Sequence, residues 1–216
     1  MARRALTTTA AALTTAATLL LTACGGESDS PSDDIKGADT AGSSSAPASA
    51  SPDANRPDVS VPKDLNLVFD FEKPSDADEA AALKDAANYI RALNHGISRQ
   101  DPEDPAYQFY SGAGAARYAK SQIQEYVDGG WTVTGTDRYY RPETNPVSET
   151  KAAKTILVTF CEDQSKAYGK EVKSGKVHRT EESLASYQKF SILMASQQDS
   201  PVWRAQQITV AGEAKE

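Results

Sequence analysis

The sequence predicts an α+β domain in which N-terminal helices pack on an antiparallel sheet, behind a signal peptide and a disordered tether. All sixteen aromatic side chains lie after Pro62, so only residues 63–216 hold material for a packed core. Within that range, apolar residues recur at helical spacing in the first half and alternate at strand spacing in the second half. A length of about 154 residues suits one domain.

The first 23 residues have the pattern of a secretory signal peptide. Arg3 and Arg4 form a basic start, and Ala5 to Ala23 is a run of apolar and small residues. Polar chain follows without a basic stop-transfer flank, which distinguishes a signal peptide from a membrane span. The arginine pair leaves both the general secretory and the twin-arginine export routes open.

The run Leu21-Thr22-Ala23-Cys24 resembles the lipobox of bacterial lipoproteins, an aliphatic residue and two small residues before a cysteine. The resemblance implies cleavage after residue 23 and attachment of acyl chains, palmitate among them, to Cys24. Two hydrophobic chains hold a protein stably on a bilayer. We therefore expect a lipid-anchored protein on the extracytoplasmic face of the cell membrane.

The segment 24–62, which begins with the lipidated Cys24, is typical of a disordered tether. Gly, Ser, Pro, Ala and Asp make up 30 of residues 25–62, and the only large aliphatic there is Ile35. Such a segment buries too little apolar surface to offset its ordering entropy. As a coil it spans about 34 Å root-mean-square, so we expect it to hold the domain off the membrane.

The first half of the domain predicts a strand and two helices. Residues 65–69 form the strand, and a helix over 76–94 starts at overlapping capping boxes at Ser75 and Asp76 and closes at His95-Gly96. Residues 98–110 contain two prolines and three acids, which predicts a loop. The second helix covers 113–128 and ends at the glycines that follow.

The second half predicts a series of strands. They cover 131–140, which precedes a proline-rich turn, then 154–162, a hairpin over 168–180 that turns at 173–176, and finally 187–196 and 202–210. The inward positions of the later strands are expected to be apolar, so that none of them titrates: Ile156, Val158, Phe160, Phe190, Ile192, Met194, Ile208 and Val210.

This order of elements, with a strand led by Trp131 and a terminal strand containing Trp203, is similar to the nuclear-transport-factor-two-like fold. That fold includes the SnoaL-like and ketosteroid isomerase families. The resemblance implies a curved, cystatin-like or SnoaL-like sheet that wraps a helix and leaves a conical cavity. Signal and tether also resemble those of actinobacterial lipoproteins. The isomerase set of an Asp base, a Tyr and a protonated acid is not placed here, because no acid stands isolated on an apolar strand face.

Composition and spacing exclude several classes of site. The net charge of residues 63–216 is −4, without the clustered basic surface that nucleic-acid binding requires. The spacing of histidines, cysteines and acids matches no metal site, and no nucleotide-binding loop is found, so we expect neither metal nor cofactor. Asp163 comes closest to a catalytic acid, but its polar neighbours favour a solvated strand end.

The remaining candidates have structural explanations. His95 lies at a helix end, where the dipole favours it. Cys161 has no local group that would activate a thiolate, so a buried strand cysteine is the better interpretation. The aromatic residues are more often core than pocket. Seven residues are nevertheless the candidates for lining a pocket: Tyr89, Tyr118, Trp131, Phe160, Cys161, Tyr187 and Trp203.

Three functions remain open at this level. The first is a non-enzymatic domain that binds a protein or a small apolar ligand beside the membrane. The second is a SnoaL-like or isomerase-like enzyme, and the third is a structural subunit of an envelope complex. Two or more inward ionisable groups within hydrogen-bonding reach would favour the enzyme, whereas a filled or purely apolar cone would favour the other two.

Overall fold

The structure is a computed structural model that describes residues 55–197 and 200–212. The predicted signal peptide, Cys24 and most of the predicted tether lie outside the described residues. No helix within the described ranges is long and apolar enough to cross a bilayer.

Helices precede most of the sheet, as the sequence predicts, and the fold is α+β. Within the described residues there are three α-helices: α1 (Ala77–Arg99), α2 (Pro105–Phe109) and α3 (Ala113–Gly129). The same residues form six strands: β1 (Leu65–Asp70), β2 (Trp131–Glu149), β3 (Ala153–Glu171), β4 (Val177–His178), β5 (Tyr187–Gln197) and β6 (Arg204–Gly212).

The strands form one mixed sheet in the order β1-β2-β3-β5-β6, with β4 paired to the end of β3. All neighbours are antiparallel except β1, which runs parallel to β2. The prediction of a purely antiparallel sheet is therefore wrong at this edge. A parallel neighbour needs a long crossover, and α1, α2 and α3 supply it between the two strands. The predicted hairpin at 173–176 is confirmed, with Gly175 in the left-handed region at φ 69°.

Helix α1 starts where the sequence predicts and ends later. The Asp76 carboxylate accepts the backbone N–H groups of Asp78 and Glu79, as a helix cap. The helix then continues through Gly96 to Arg99. A Cβ at Gly96 would lie 2.5 Å from the Cδ1 atom of Ile123, so this glycine permits close approach of α1 and α3 and does not end the helix.

Two proline-containing segments also differ from the predictions. The expected loop at 98–110 contains α2, because Asp104 caps it and Pro105 occupies its first turn, where a missing N–H costs nothing. The expected turn after Tyr140 is absent from the described chain, since β2 continues to Glu149. Register shifts in β2 accompany Pro142 and Pro146, and bulges are where strands tolerate proline.

The helices pack on the sheet over one hydrophobic core. The expected inward residues Ile156, Val158 and Phe160 of β3 are at most 4% exposed, as are Ile192 and Met194 of β5. Further inward positions are less fully buried: Phe190 is 5% exposed, and two residues of β6 only pack partly against the core, Ile208 and Val210. Period-two alternation therefore assigns the core faces of β3 and β5 correctly.

The segment 55–62, which the sequence assigns to the tether, lies against the domain. Arg56 forms an ion pair with the buried Asp85 of α1, and Val59 packs against the core. The carbonyl oxygen of Ser60 lies 2.5 Å from Nδ1 of His95. The folded domain therefore begins before residue 63, because charge pairing and one apolar contact order a segment whose composition resembles coil.

Candidate functional site

A small pocket of about 130 Å³ lies between α1, α3 and the sheet. Its walls are apolar side chains of α1 and β5, tyrosines, amide side chains and two acids. We call it the acid-pair pocket; it is lined by Ile90, Leu93, Asn94, Ile97, Tyr118, Gln122, Tyr126, Val133, Asp137, Tyr139, Glu162, Gln164, Ala167, Gln188 and Phe190. It is smaller than most ligand sites, and an engineered cavity of about 150 Å³ admits benzene.

Asp137 and Glu162 give the pocket its chemistry. Each is only 6% exposed, and Tyr139 is 1% exposed. The Tyr139 hydroxyl donates a hydrogen bond of 2.8 Å to Oδ2 of Asp137. Glu162 lies directly opposite Tyr139 in the register of β2 and β3, and its carboxyl is within hydrogen-bonding reach of both Asp137 and Tyr139. Two carboxyls and a phenol therefore meet inside the fold.

The strand geometry explains why the side chains of Asp137, Tyr139 and Glu162 meet inside the fold. Phe160 and Glu162 lie two residues apart on β3, so strand alternation turns both side chains to the core side. On β2 the register shifts between Thr136 and Arg138, which leaves Asp137 outside the regular pairing with β3. The extra residue of this bulge lies on β3, between Asp163 and Lys166, so Asp137 keeps the alternation of β2 and shares a face with Val133 and Tyr139.

Burial governs the protonation of the two acids. Burial raises the pKa of Asp137 to about 6, because the charged carboxylate loses its solvation. The hydrogen bond from Tyr139 acts in the opposite direction and lowers this pKa, but its effect is smaller. Burial, followed by the nearby negative charge of Asp137, raises the pKa of Glu162 well above its ordinary value. Two buried carboxyls in contact do not readily ionise together, so the pair favours a state that holds one proton between them.

The second carboxylate oxygen of Asp137, Oδ1, is also part of the site. Oδ1 is buried and has no donor partner while Glu162 is ionised, and a proton on Glu162 would supply one donor to the Asp137 carboxylate. Asp137 is thus a buried carboxylate with spare acceptor capacity in a pocket wall. Such a group can accept a proton or bind a donor, and the adjacent Glu162 can donate a proton.

The structure brings few of the predicted pocket residues into this site. Tyr118 of α3 lines the acid-pair pocket. Phe160 contacts Tyr139 ring to ring in the core beneath it, with centroids 5.8 Å apart. The other candidates lie elsewhere: Tyr89, Tyr187 and Trp203 are buried in packing roles, Trp131 contacts the ring of His178, and Cys161 is buried on β3.

The expectation that no inward position of the later strands titrates is wrong at Glu162, which is buried at the end of the predicted strand 154–162. The period-two pattern nevertheless contains both acids. Glu162 continues the inward series of β3, and Asp137 continues the alternation that starts at Trp131. Asp163, the acid that comes closest to a catalytic role in the sequence, is partly exposed and accepts the N–H of Ser165. Glu162 was assigned to a solvated strand end because polar residues surround it in sequence.

Both histidines of the described residues have local partners. His95 lies 3.6 Å from Asp104 as well as near Ser60, and His178 lies 2.6 Å from Glu171. Nowhere in the described ranges do three or more His, Cys, Asp or Glu side chains form a group that could hold a metal ion.

Comparisons with known proteins do not assign a family. No protein-family model matches the chain, and no curated protein matches it. Among solved structures, the intermembrane space region of the chloroplast protein ARC6 matches 60% of this chain and 95% of its own length, at 10% identity. The TM-score of 0.34 is too low to support a conclusion about fold or function.

Proposed function

We propose that the chain is a membrane-anchored, extracytoplasmic binding protein whose domain takes a small ligand into the acid-pair pocket. One observation carries the proposal: a buried carboxylate, Asp137, lines a pocket and has an oxygen with spare acceptor capacity. Tyr139 and a protonated Glu162 can supply two donors to this carboxylate, whose two oxygens have about four acceptor positions, so a donor on a ligand can take one that is left.

The location rests on the sequence. The lipobox-like run ending at Cys24 and the polar tether support attachment to the outer face of the cytoplasmic membrane, with the domain held off the bilayer. A SnoaL-like, cone-shaped sheet would be consistent with a pocket between helices and sheet, and this finer description of the fold is part of the same proposal.

Ligand binding is tested by blocking the pocket. The full chain, ¹⁵N-labelled in non-ionic detergent, would be screened by NMR against small polar fragments of six to eight heavy atoms. We expect chemical-shift changes at residues of the acid-pair pocket. These changes should disappear in Ala167→Phe, because the phenyl ring fills the pocket. Ala152→Phe, at an exposed turn, is the matched control and should bind as the wild type does. Shifts that persist in Ala167→Phe would contradict the proposal.

An acid–base enzyme is the second candidate, and a specific observation favours it. The pKa of Asp137 at about 6 lies near neutral pH, and a protonated Glu162 and the Tyr139 phenol stand beside it. A base with that pKa next to two neutral donors suits proton abstraction beside a carbonyl group.

Deuterium exchange tests the second candidate directly. The full chain in D₂O would be incubated with cyclohexanone, whose ring is comparable in size to the pocket, and exchange at its α-carbons followed by NMR. The enzyme would accelerate exchange over buffer, and Asp137→Asn would remove the acceleration while Glu181→Gln, at an exposed loop position, would not. Equal rates in wild type and buffer would leave binding as the function.

A further inference from the structure

We infer that the acid-pair pocket selects a small organic cation with N–H donors, such as the head of a primary amine, and releases a proton when it binds. This inference rests on the proposed function, since it names the ligand class of the same pocket. It draws on the charge of the lining, on the Asp137 oxygen and on the aromatic walls.

The lining carries negative charge only. Lys, Arg and His are missing from the residues that the structure places around the pocket, whereas Asp137 and Glu162 both lie there. An anionic ligand would meet repulsion without a compensating cation. A purely apolar ligand would leave Oδ1 of Asp137 without a new donor, which carries a desolvation penalty. A cationic donor satisfies both the charge and the oxygen.

Neutral aromatic and amide groups complete a site of this kind. Tyr118 and Tyr126 of α3 line the pocket, and burial raises the pKa of both phenols, that of Tyr118 to about 12, so they remain uncharged. Aromatic walls favour ammonium groups by roughly 0.5–2 kcal/mol. Gln122 and Gln164 line the pocket and are partly exposed, where they can contact the remainder of a longer ligand.

The shared proton predicts how binding depends on pH. Two buried carboxyls within hydrogen-bonding reach favour a state with one proton between them, whereas an ammonium group favours ionisation of both, so the shared proton leaves to solvent. Other groups facing the pair are Asp163 on β3, which adds negative charge, and the two phenols, with Glu125 behind them. Helix α1 and strand β5 contribute neutral amides, Asn94 and Gln188.

The test compares probes of matched size and different charge on the full chain in non-ionic detergent. Benzylammonium, benzyl alcohol and benzoate would be titrated by NMR, and calcium chloride would serve as the metal probe. We expect benzylammonium to bind at least tenfold more tightly than benzyl alcohol at pH 8. The difference should shrink at least tenfold at pH 5, where the pair holds its protons. Calorimetry in two buffers should show release of up to one proton.

Substitutions test which residues are responsible for benzylammonium binding and for proton release. Asp137→Asn should weaken benzylammonium binding at least tenfold, and Glu162→Gln should reduce both proton release and the pH dependence. Glu181→Gln should change neither. The comparison of benzylammonium with benzyl alcohol at pH 8 and pH 5 uses only the wild-type protein. It therefore tests the inference even where a substitution prevents folding.

Each alternative outcome overturns the inference in a recognisable way. Equal binding of benzyl alcohol, or preferred binding of benzoate, would refute the cation class and retain the proposed ligand-binding function. Pocket shifts with calcium and none with benzylammonium would indicate a metal site and also refute it. If no probe shifts any pocket residue, both the inference and the proposed function are wrong.

Discussion

The guanidinium of Arg56 forms an ion pair with the carboxylate of Asp85, a helix residue 29 positions further along the chain. Asp85 is fully buried and also accepts the backbone N–H of Trp203 at 2.9 Å. One carboxylate thus joins the start of the described chain, the long helix and the approach to the last strand. Charge in this place fixes the N-terminal segment to the core.

Removing the Arg56 cation should destabilise the domain. Arg56→Met leaves the Asp85 charge buried without its cation, and we expect the free energy of unfolding to fall by about 3 kcal/mol. Urea unfolding of the full chain in detergent measures this change in the free energy of unfolding. The double variant Arg56→Met/Asp85→Asn should recover part of the loss, because asparagine keeps an acceptor for the Trp203 N–H without the charge.

An exposed ion pair supplies the control for that experiment. Arg138 and Asp70 are 48% and 54% exposed and lie 2.6 Å apart. Arg138→Met should change the unfolding free energy much less than Arg56→Met does, because solvent screens such pairs. Similar losses in Arg56→Met and Arg138→Met would show that burial of the Arg56 pair contributes nothing.

The same contact sets the minimal length of a stable fragment. A fragment 55–216 retains Arg56, whereas a fragment 63–216 lacks it together with the packing of Val59. We expect the longer fragment to unfold at a higher urea concentration with a similar m-value. Coincident unfolding curves would mean that the segment 55–62 lies on the domain without stabilising it.

The buried acids should make stability fall as pH rises. The folded pKa of Asp137, about 6, exceeds its ordinary value of 3.8, so the folded state binds more protons than the unfolded state between these values. The Asp137 contribution is thus fully favourable below about pH 4 and is lost as pH approaches 6. By linkage the loss is on the order of 3 kcal/mol.

The measurement is the difference in unfolding free energy between Asp137→Asn and wild type across pH 4 to 7. It should move in favour of the variant as pH rises, because asparagine has no proton to lose. Glu181→Gln, at an exposed position, should give a flat difference. A flat profile for Asp137→Asn would mean that Asp137 ionises in the folded state as readily as in the unfolded chain.

Lipid attachment has a simple genetic test. Cys24→Ser removes the thiol that the acyl chains require, so we expect the protein to leave the membrane fraction and the detergent phase. Cys161→Ala, which changes the buried strand cysteine, should remain in the detergent phase as the wild type does. Retention of Cys24→Ser in detergent would show that the lipobox-like run does not anchor the chain.

The sequence by itself determined the α+β class, most of the elements and the hairpin at 173–176. Helical spacing set α3 and the start of α1, and alternation identified the inward faces of β3 and β5. These features depend on neighbouring residues and on the period of one element, which a sequence displays directly. Elements that depend on a distant partner were missed: Gly96 continues a helix because it meets Ile123 of another helix.

The candidate site was decided by tertiary structure. Glu162 follows the inward series of β3, but its polar neighbours favour a solvated strand end, and the sequence assigns no inward face to the strand that contains Asp137. Pairing of β2 with β3 places Glu162 opposite Tyr139, and alternation along β2 places Asp137 on the same face, under the helices. Whether a carboxyl is solvated depends on which residues cover it. Helices α1 and α3 cover this pair, and a local sequence pattern does not show contacts with segments that are distant in sequence.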